Sequence, residues 1–218
     1  MKRLIYRAQL LEGGDDEGVA RIRELAGEAR ELLRDGKLMT IAVYRWRRHV
    51  FLYAESVRGE FSPDETFGAA ADRLEDWPGL ERKRKWVPMI DVFHFNEPAD
   101  AEHWRRKTPV ERRVGRVAHL KPEMVASYIY YHYQLQEERA FLGDKYEIIA
   151  IHENLLFGYQ EFPKVIEEPV LPRKLQTKGT PEPWELSRMD LHFQPWEDGH
   201  LYFKPIETVF ALYVGELE

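Results

Sequence analysis

Tyrosine and histidine are crowded into one short segment of the chain, residues 127–139, which reads SYIYYHYQLQEER. Tyr128 and His132 are four residues apart, a spacing that places both side chains on one face of a helix. A neutral imidazole can give or take a proton near neutral pH, and a phenol can donate a hydrogen bond or a proton. The pair therefore predicts a proton-transfer site. The alternative is an aromatic-rich helix whose histidine is hydrogen-bonded in the core.

The elements that must position this pair follow an order that occurs twice along the chain. In the first half, apolar spacing, turn residues and a capping box at Ser62–Glu65 predict the order β-α-β-β-α-β. The predicted elements are a strand (3–11), a helix (18–38), a hairpin (39–57), a helix from Ser62 to about Trp77 and a strand (89–95). The second half repeats the order with a strand (112–122), a helix (122–142), a hairpin (145–162) and a strand (205–214).

Matching residues indicate that this repetition is an internal duplication. Overlaying 3–13 on 112–122 pairs Arg7 with Arg116 and Leu11 with Leu120. Overlaying the two hairpins pairs three further positions: Phe51 with Phe157, Tyr53 with Tyr159 and Glu55 with Glu161. Several matches in the same order predict two ferredoxin-like βαββαβ repeats. Their expected bounds are 1–97 and 112–218, joined by a polar connector at 98–111.

The expected fold class is α+β, with two antiparallel sheets packed together as in a dimeric α+β barrel, here on one chain. A βαββαβ unit carries both helices on one face of its sheet, so the other face is free to pack against a second unit. The second repeat also contains a proline-rich insertion at 162–200, through which no long helix can run. A long loop with a short helix near 183–191 is predicted there. It would either close over a pocket or merely cover surface or mediate association.

The two repeats differ where the chemistry would be. With the hairpins aligned, three polar aromatic residues of the second repeat fall on non-aromatic ones: Tyr128 on Ile22, His132 on Ala26 and Tyr146 on Thr40. The polar aromatic set therefore occurs once, which favours one functional site in a pseudo-symmetric protein.

Part of the second repeat resembles the L-rhamnose mutarotase family of small dimeric α+β-barrel enzymes. The resemblance lies in YIYYHYQLQEE and KYEIIAIHENLLFGYQE, and in the closing strand ETVFALY. In that family a helix carries a tyrosine and a histidine four residues apart, followed by a tyrosine at the next strand and an Asn-Leu-Leu-Phe hairpin arm. The matching positions are Tyr128, His132, Tyr146 and Asn154. The first repeat resembles the family in topology alone.

The resemblance implies an aldose mutarotase that acts on a monosaccharide. A base would take the proton of the anomeric hydroxyl, an acid would protonate the ring oxygen, and the opened ring would close again. His132 and one of Tyr128 or Tyr146 would supply these groups, with no metal and no cofactor. The family's sugar site includes a tryptophan, whose nearest counterpart is Trp184; Trp184 or Trp196 would stack on the sugar.

Two other functions remain open from the sequence. The same barrel architecture hosts haem-binding and cofactor-free monooxygenases, and His132 could ligate a haem iron. The chain could also be a non-catalytic barrel that binds a small molecule or a partner.

Composition excludes several classes of protein. The 218 residues include no cysteine, so disulfides, thiolate metal sites and cysteine nucleophiles are absent. The net charge is -6 with no basic half, which argues against nucleic-acid binding. No apolar run approaches the roughly 20 residues of a membrane span, and the N-terminus lacks a signal-peptide pattern. A cytoplasmic monomer or homodimer is expected. Asp190 with His192, and His152 with Glu153, match no recognised metal-ligand spacing, so no metal site is predicted.

Overall fold

The computed structural model describes residues 1–217 and has a mixed α+β architecture. Two compact units occur in this range, each built on a five-stranded antiparallel sheet. The first unit comprises Met1–Met89, Asp100–His103 and the chain from Ile206 onward, and the second comprises Ile90–Ala99 and Trp104–Pro205. The predicted α+β class with two antiparallel sheets is confirmed. Their packing into a barrel stays a prediction.

Strands and helices are interspersed along the whole of residues 1–217. In chain order they are β1 (Lys2–Gln9), α1 (Asp15–Glu24), α2 (Ala26–Arg34), β2 (Leu38–Trp46), β3 (His49–Ser56), α3 (Asp64–Phe67), β4 (Val87–Pro88), β5 (Ile90–His94), α4 (Ala101–Trp104), β6 (Arg112–His119), α5 (Val125–Glu138), β7 (Ile148–His152), β8 (Leu155–Phe162), β9 (Lys204–Pro205) and β10 (Glu207–Tyr213).

The first unit has a closed apolar core. Its strand order is β10-β2-β3-β1-β4, and α1 and α2 form one interrupted helical stretch that breaks at Leu25. Ile22 and Leu33 lie on the buried stripe of this stretch and belong to the same cluster as Ile41 and Leu52 of the sheet. All four side chains are fully buried. Burial of this apolar surface is the main favourable contribution to the stability of the unit.

The second unit has the equivalent sheet, in the order β5-β7-β8-β6-β9, with α5 beside it. The helix ends at Glu138, and the capping residue Arg139 has a φ of 50°, in the left-handed region. Most of the insertion is irregular, and short 3-10 turns at Trp184–Ser187 and Met189–Leu191 stand where a short helix near 183–191 was predicted. Irregular structure is the expected result of so many prolines, because each removes an amide donor and fixes φ.

The two sheets exchange their closing strands relative to the sequence repeats. The segment 89–95 was expected to close the first repeat, but β5 pairs with β7 in the second unit. Correspondingly, β10 pairs with β2 in the first unit. The sheet edges offered by β2 and β7 are equivalent after a duplication, so the pattern of the closing strand fits either. Which edge it takes is a non-local choice that local sequence patterns do not specify.

Matching irregularities support the duplication. The pairing of β10 with β2 shifts register between Thr208 and Phe210, and that of β5 with β7 shifts between Asp91 and Phe93. These are the same positions when the closing strands are overlaid. The hairpin tips also match, since Arg47 and Glu153 have φ values of 54° and 59°. Shared local distortions of this kind are typical of related backbones.

The strand registers correct one part of the sequence overlay. Tyr6 pairs with Leu52 in the first unit, while Arg116 pairs with Gly158 in the second. Since Leu52 and Gly158 are equivalent in the hairpins, the counterpart of Arg116 is Tyr6, and the predicted pairing with Arg7 is wrong by one residue. The shift is consequential because side chains alternate along a strand, so neighbouring residues point to opposite faces.

Candidate functional site

A cavity of about 320 Å³ lies within the second unit. Its walls come from α5, the central and edge strands of the sheet, and the insertion. The lining includes two charged side chains, Arg116 and Glu147, and the Tyr128–His132 pair of α5. The remaining lining is mostly aliphatic and aromatic: Phe93, Phe95, Leu135, Ile149, Trp184, Met189, Phe193, Tyr202 and Phe203. A mainly apolar cavity with a few converging polar groups is the usual form of a small-molecule site.

His132 is held in a defined orientation and tautomer. Its Nδ1 lies 2.9 Å from the carbonyl oxygen of Tyr128, one helical turn earlier. A carbonyl can only accept, so Nδ1 carries the proton of the neutral ring and Nε2 carries the lone pair. The ring stacks on Tyr128 with centroids 3.9 Å apart, and the edge-to-face neighbours are Phe93 at 5.2 Å and Trp184 at 5.6 Å.

Burial keeps the imidazole neutral. Desolvation is the largest cause that lowers the pKa of His132 to about 4, the bond to the Tyr128 carbonyl opposes it, and nearby His192 adds to the lowering. At neutral pH the ring is therefore uncharged and Nε2 is unprotonated, and burial disfavours the protonated form.

Tyr128 remains a phenol rather than a phenolate. The side chain is 1% exposed, and desolvation raises its pKa above the ordinary value, against the attraction of the Arg116 guanidinium. Its ring also meets Phe193 edge to face, with centroids 5.8 Å apart. A neutral buried phenol next to a cavity can donate a hydrogen bond to a ligand oxygen.

Arg116 and Glu147 form an ion pair at the cavity, through Arg116 Nη2 and Glu147 Oε1. The guanidinium carbon lies 4.8 Å from the centroid of the Phe203 ring. Burial lowers the pKa of Arg116, although Tyr128 and Asp144 oppose that effect. Gly158 makes room for the arginine, because a Cβ at that position would come within 2.9 Å of Arg116 Nε and 3.1 Å of its Cγ.

The polar set has no equivalent in the first unit. The four polar residues stand where the first unit has less polar ones: Arg116 in place of Tyr6, Tyr128 of Ile22, His132 of Ala26 and Glu147 of Ile41. Gly158, which accommodates Arg116, stands in place of the larger Leu52. Three of these counterparts, Ile22, Ile41 and Leu52, are fully buried in the apolar core of the first unit. The duplicated fold is therefore stable with hydrocarbon at these positions, so polar groups at the cavity are not a requirement of the fold.

Three of the predicted site residues lie together, since Tyr128, His132 and Trp184 all line the cavity. Tyr146 does not line it. Its hydroxyl donates to the carbonyl of Arg105 at 3.2 Å, and the guanidinium carbon of Arg106 lies 4.2 Å from its ring centroid. Tyr146 and Glu147 lie in the turn just before β7, and it is Glu147 that lines the cavity.

Asn154 and Trp196 also lie outside the cavity lining. The Asn154 side chain donates to the carbonyl of Leu120 at 2.8 Å, beside the hairpin tip. Trp196 donates from Nε1 to the carbonyl of Tyr202 at 2.8 Å and packs edge to face on His119. Both side chains tie loops to neighbouring backbone.

Sequence reasoning missed Arg116, Glu147 and Gly158. The comparison of the hairpins that singled out Tyr128 also sets Glu147 on Ile41 and Gly158 on Leu52. Applying it to every position would have found both residues. Arg116 was hidden by the one-residue error in the overlay, which matched it to another arginine.

The insertion forms one wall of the cavity through Trp184, Met189 and Phe193. Several hydrogen bonds attach it to α5. Glu138 accepts hydrogen bonds from the backbone amides of Gly179 and Thr180 at 2.7 and 2.9 Å. Further along, His192 Nε2 lies 2.8 Å from the hydroxyl of Ser127 on α5. The insertion therefore contributes to the pocket as well as covering surface, while its opening as a lid stays a prediction.

Possible metal ligands are engaged in other contacts. Asp190 forms an ion pair with Arg188 at 2.9 Å, and His192 Nδ1 lies 3.0 Å from the carbonyl of Arg188. Within residues 1–217, no cluster of three or more His, Asp or Glu side chains could hold a metal ion. The helices of this range include none that is long and apolar enough to span a membrane.

Comparison with known proteins leaves the family unassigned. No protein-family model matches the chain, and no curated protein matches it significantly. Among solved structures, a protein from Lactobacillus acidophilus NCFM with the provisional name of a monooxygenase matches with 6% identity and a TM-score of 0.42, over 98% of this chain and 97% of its own. An anthrone oxidase-like protein matches with 9% identity and a TM-score of 0.39, over 98% and 93%.

A third structure, provisionally named a monooxygenase from Fusobacterium nucleatum subsp. nucleatum, matches with 8% identity and a TM-score of 0.39, over 97% of this chain and 93% of its own. None of the three is described as a mutarotase. At these TM-scores, neither the ligand nor the activity of this chain follows from the similarity.

Proposed function

We propose that the second unit is a cofactor-independent oxygenase that acts on a small, planar, enolisable aromatic molecule. The observation that carries this proposal is His132, a buried neutral imidazole with a lone pair on Nε2, which forms part of the wall of a largely aromatic cavity. Because burial disfavours the imidazolium, this base takes a proton from a weakly acidic C–H or O–H group only when the developing anion stays beside it as a counter-charge. There the developing anion is not stabilised by water, so fixed protein groups must stabilise it.

The lining favours a flat apolar ligand over a sugar. Phe93, Trp184 and Phe203 supply aromatic surface, which contacts planar rings well. A monosaccharide presents hydroxyl groups in most directions, and each one needs a partner when it leaves water. Tyr146 and Asn154, which the resemblance to mutarotases placed at a sugar, make other contacts. The oxygenase alternative therefore fits the cavity better than the mutarotase.

The reaction proposed is oxidation of an activated methylene group by molecular oxygen. His132 Nε2 takes a proton from the methylene carbon, and the carbanion, delocalised into the aromatic system, forms a C–O bond with dioxygen. The proton on His132 returns to the outer oxygen to give a hydroperoxide, whose O–O bond breaks as the second methylene proton is lost and water leaves. The methylene and one dioxygen become a carbonyl and one water, which balances the atoms and the electrons. Tyr128 would donate a hydrogen bond to the substrate oxygen on which the negative charge collects.

Oxygen uptake with anthrone as the probe tests this function. Anthrone is flat, carries a methylene group between two arene rings, and yields anthraquinone, which is measured by its absorbance. We expect turnover at neutral pH, and a loss of about 100-fold or more in the His132→Gln variant, because general-base catalysis contributes roughly 10²–10⁴-fold. His103→Gln is the matched control, since His103 does not line the cavity.

Other outcomes would point elsewhere. Anthrone oxidation no faster than in buffer, together with tight binding of the probe, would leave a non-catalytic binding protein. A Soret band on addition of haemin, lost in His132→Gln, would favour the haem-binding alternative. Anomer exchange of a reducing sugar that is faster with the protein than in buffer, detected by exchange NMR, would favour the mutarotase function.

A further inference from the structure

The ion pair between Arg116 and Glu147 has no explanation in the stability of the fold. The Glu147 side chain is 11% exposed and that of Arg116 is 22% exposed. Desolvating two charges costs free energy that their attraction often fails to repay, compared with apolar side chains of similar volume. The first unit has Tyr6 and Ile41 at these positions, so the fold accommodates uncharged residues there. A charged pair at this cavity therefore points to a ligand.

The guanidinium of Arg116 retains unused donor capacity. Glu147 accepts from Nη2, whereas Nε is buried and has no acceptor among the described residues. Buried donors in folded proteins are nearly always paired, and an unpaired one costs free energy. The arginine side chain also packs closely on two sides, with the bare backbone of Gly158 near Nε and Cγ and the Phe203 ring near the guanidinium carbon. Glu147 and Phe203 hold it in place at the cavity.

We infer that Arg116 anchors an acceptor oxygen of the ligand, and that the ligand class is aromatic ketones and their enols or phenols rather than hydrocarbons. This inference rests on the proposed function, which places the ligand in the cavity. A guanidinium binds a carbonyl oxygen and binds an enolate or phenolate oxygen more strongly, because the hydrogen bond becomes charge-assisted on both sides. Loss of a proton to His132 would send negative charge to that oxygen. Arg116 is therefore a specificity-determining residue, and Glu147 positions it.

The test compares two probes that share a carbon frame. Anthrone has the acceptor oxygen, and 9,10-dihydroanthracene lacks it; both are titrated under argon, so that no oxidation occurs, with tryptophan fluorescence as the signal. We expect the unmodified protein to bind anthrone at least about 10-fold more tightly, the range of one hydrogen bond to a charged group. Arg116→Met should abolish this preference by weakening anthrone binding, with dihydroanthracene binding unchanged.

Two further variants serve as a second test of Arg116 and as a control. Arg116→Tyr installs the residue that the first unit has at this position and should also lose the preference for anthrone. It provides a second test if Arg116→Met folds poorly. Arg21→Met removes an exposed arginine of the first unit and should leave both affinities unchanged. Equal affinities for the two probes in the unmodified protein, or a preference that persists in either Arg116 variant, would show that Arg116 does not anchor the ligand oxygen.

The two proposals fail in different ways. If anthrone is preferred through Arg116 but consumes no oxygen, the oxygenase function is wrong and the anchor stands. If both probes bind equally and anthrone is oxidised, the anchor alone is wrong. If neither probe binds, both proposals are wrong.

Discussion

His132 should make the protein less stable as the pH falls below its unfolded-state pKa. In the folded protein the pKa is about 4, against an ordinary value of 6.5. At neutral pH both states hold the ring neutral, so this group adds no pH dependence there. Below the unfolded-state pKa the ring is protonated in the unfolded chain but stays neutral in the folded protein. The free energy of unfolding therefore decreases as the pH falls, until the pH reaches the folded-state pKa. The loss is about 2–3 kcal/mol at about pH 4.5.

Urea unfolding at neutral pH and at about pH 4.5 measures this effect, with tryptophan fluorescence as the signal. The free energy of unfolding should drop by about 2–3 kcal/mol more in the unmodified protein than in His132→Gln, which cannot titrate. His103→Gln, in which His132 is retained, should behave like the unmodified protein. An equal drop in His132→Gln and the unmodified protein would refute the reasoning, because it would mean that His132 takes up its proton in the folded state as readily as in the unfolded state.

Two further predictions concern the support of the cavity, and a third concerns a helix of the first unit. Gly158→Ala should displace Arg116, since the added Cβ would lie 2.9 Å from Nε, and should weaken anthrone binding about 10-fold. Gly27→Ala, where no heavy atom lies within 4 Å of the new Cβ, should instead raise stability by about 0.5–1 kcal/mol in thermal or urea unfolding. Glu138→Gln should speed amide exchange at Gly179 and Thr180, with a loss of about 1–3 kcal/mol in unfolding free energy, because it weakens charged hydrogen bonds.

Each of these three predictions is contradicted by a specific result. Unchanged anthrone binding in Gly158→Ala would show that the position of Arg116 does not depend on the absence of a side chain at residue 158. A lower stability of Gly27→Ala would contradict the gain expected from the higher helix propensity of alanine. The hydrogen bonds to Glu138 lower its pKa to about 2, even though burial alone would raise it. The contribution of Glu138 to stability is therefore full above the ordinary carboxyl pKa and lost as the pH falls toward about 2. Equal acid sensitivity in Glu138→Gln and the unmodified protein would contradict this role of the carboxylate.

Much of the fold could be predicted from local pattern. The βαββαβ order, the duplication and the position of α5 follow from apolar periodicity and turn residues, which act over a few residues. The helix predicted from Ser62 to about Trp77 is shorter than expected, since only Asp64–Phe67 is α-helical and a 3-10 helix follows at Gly68–Arg73. The one-residue error between Arg7 and Arg116 also has a local cause, because two arginines in similar surroundings look equivalent until a strand register is known. The registers of Tyr6 with Leu52 and Arg116 with Gly158 supply what the pattern lacks.

Sequence alone also singled out Tyr128 and His132, because helical spacing and the contrast with Ile22 and Ala26 can both be read without coordinates. Tertiary structure decided the rest. It separated Tyr146 from the pair, brought Arg116 and Glu147 to the same cavity, and built one wall from the insertion around Trp184. These outcomes depend on which strand faces point toward α5 and on where an irregular loop docks. Both are set by contacts between residues far apart in the chain, and local propensity does not encode them.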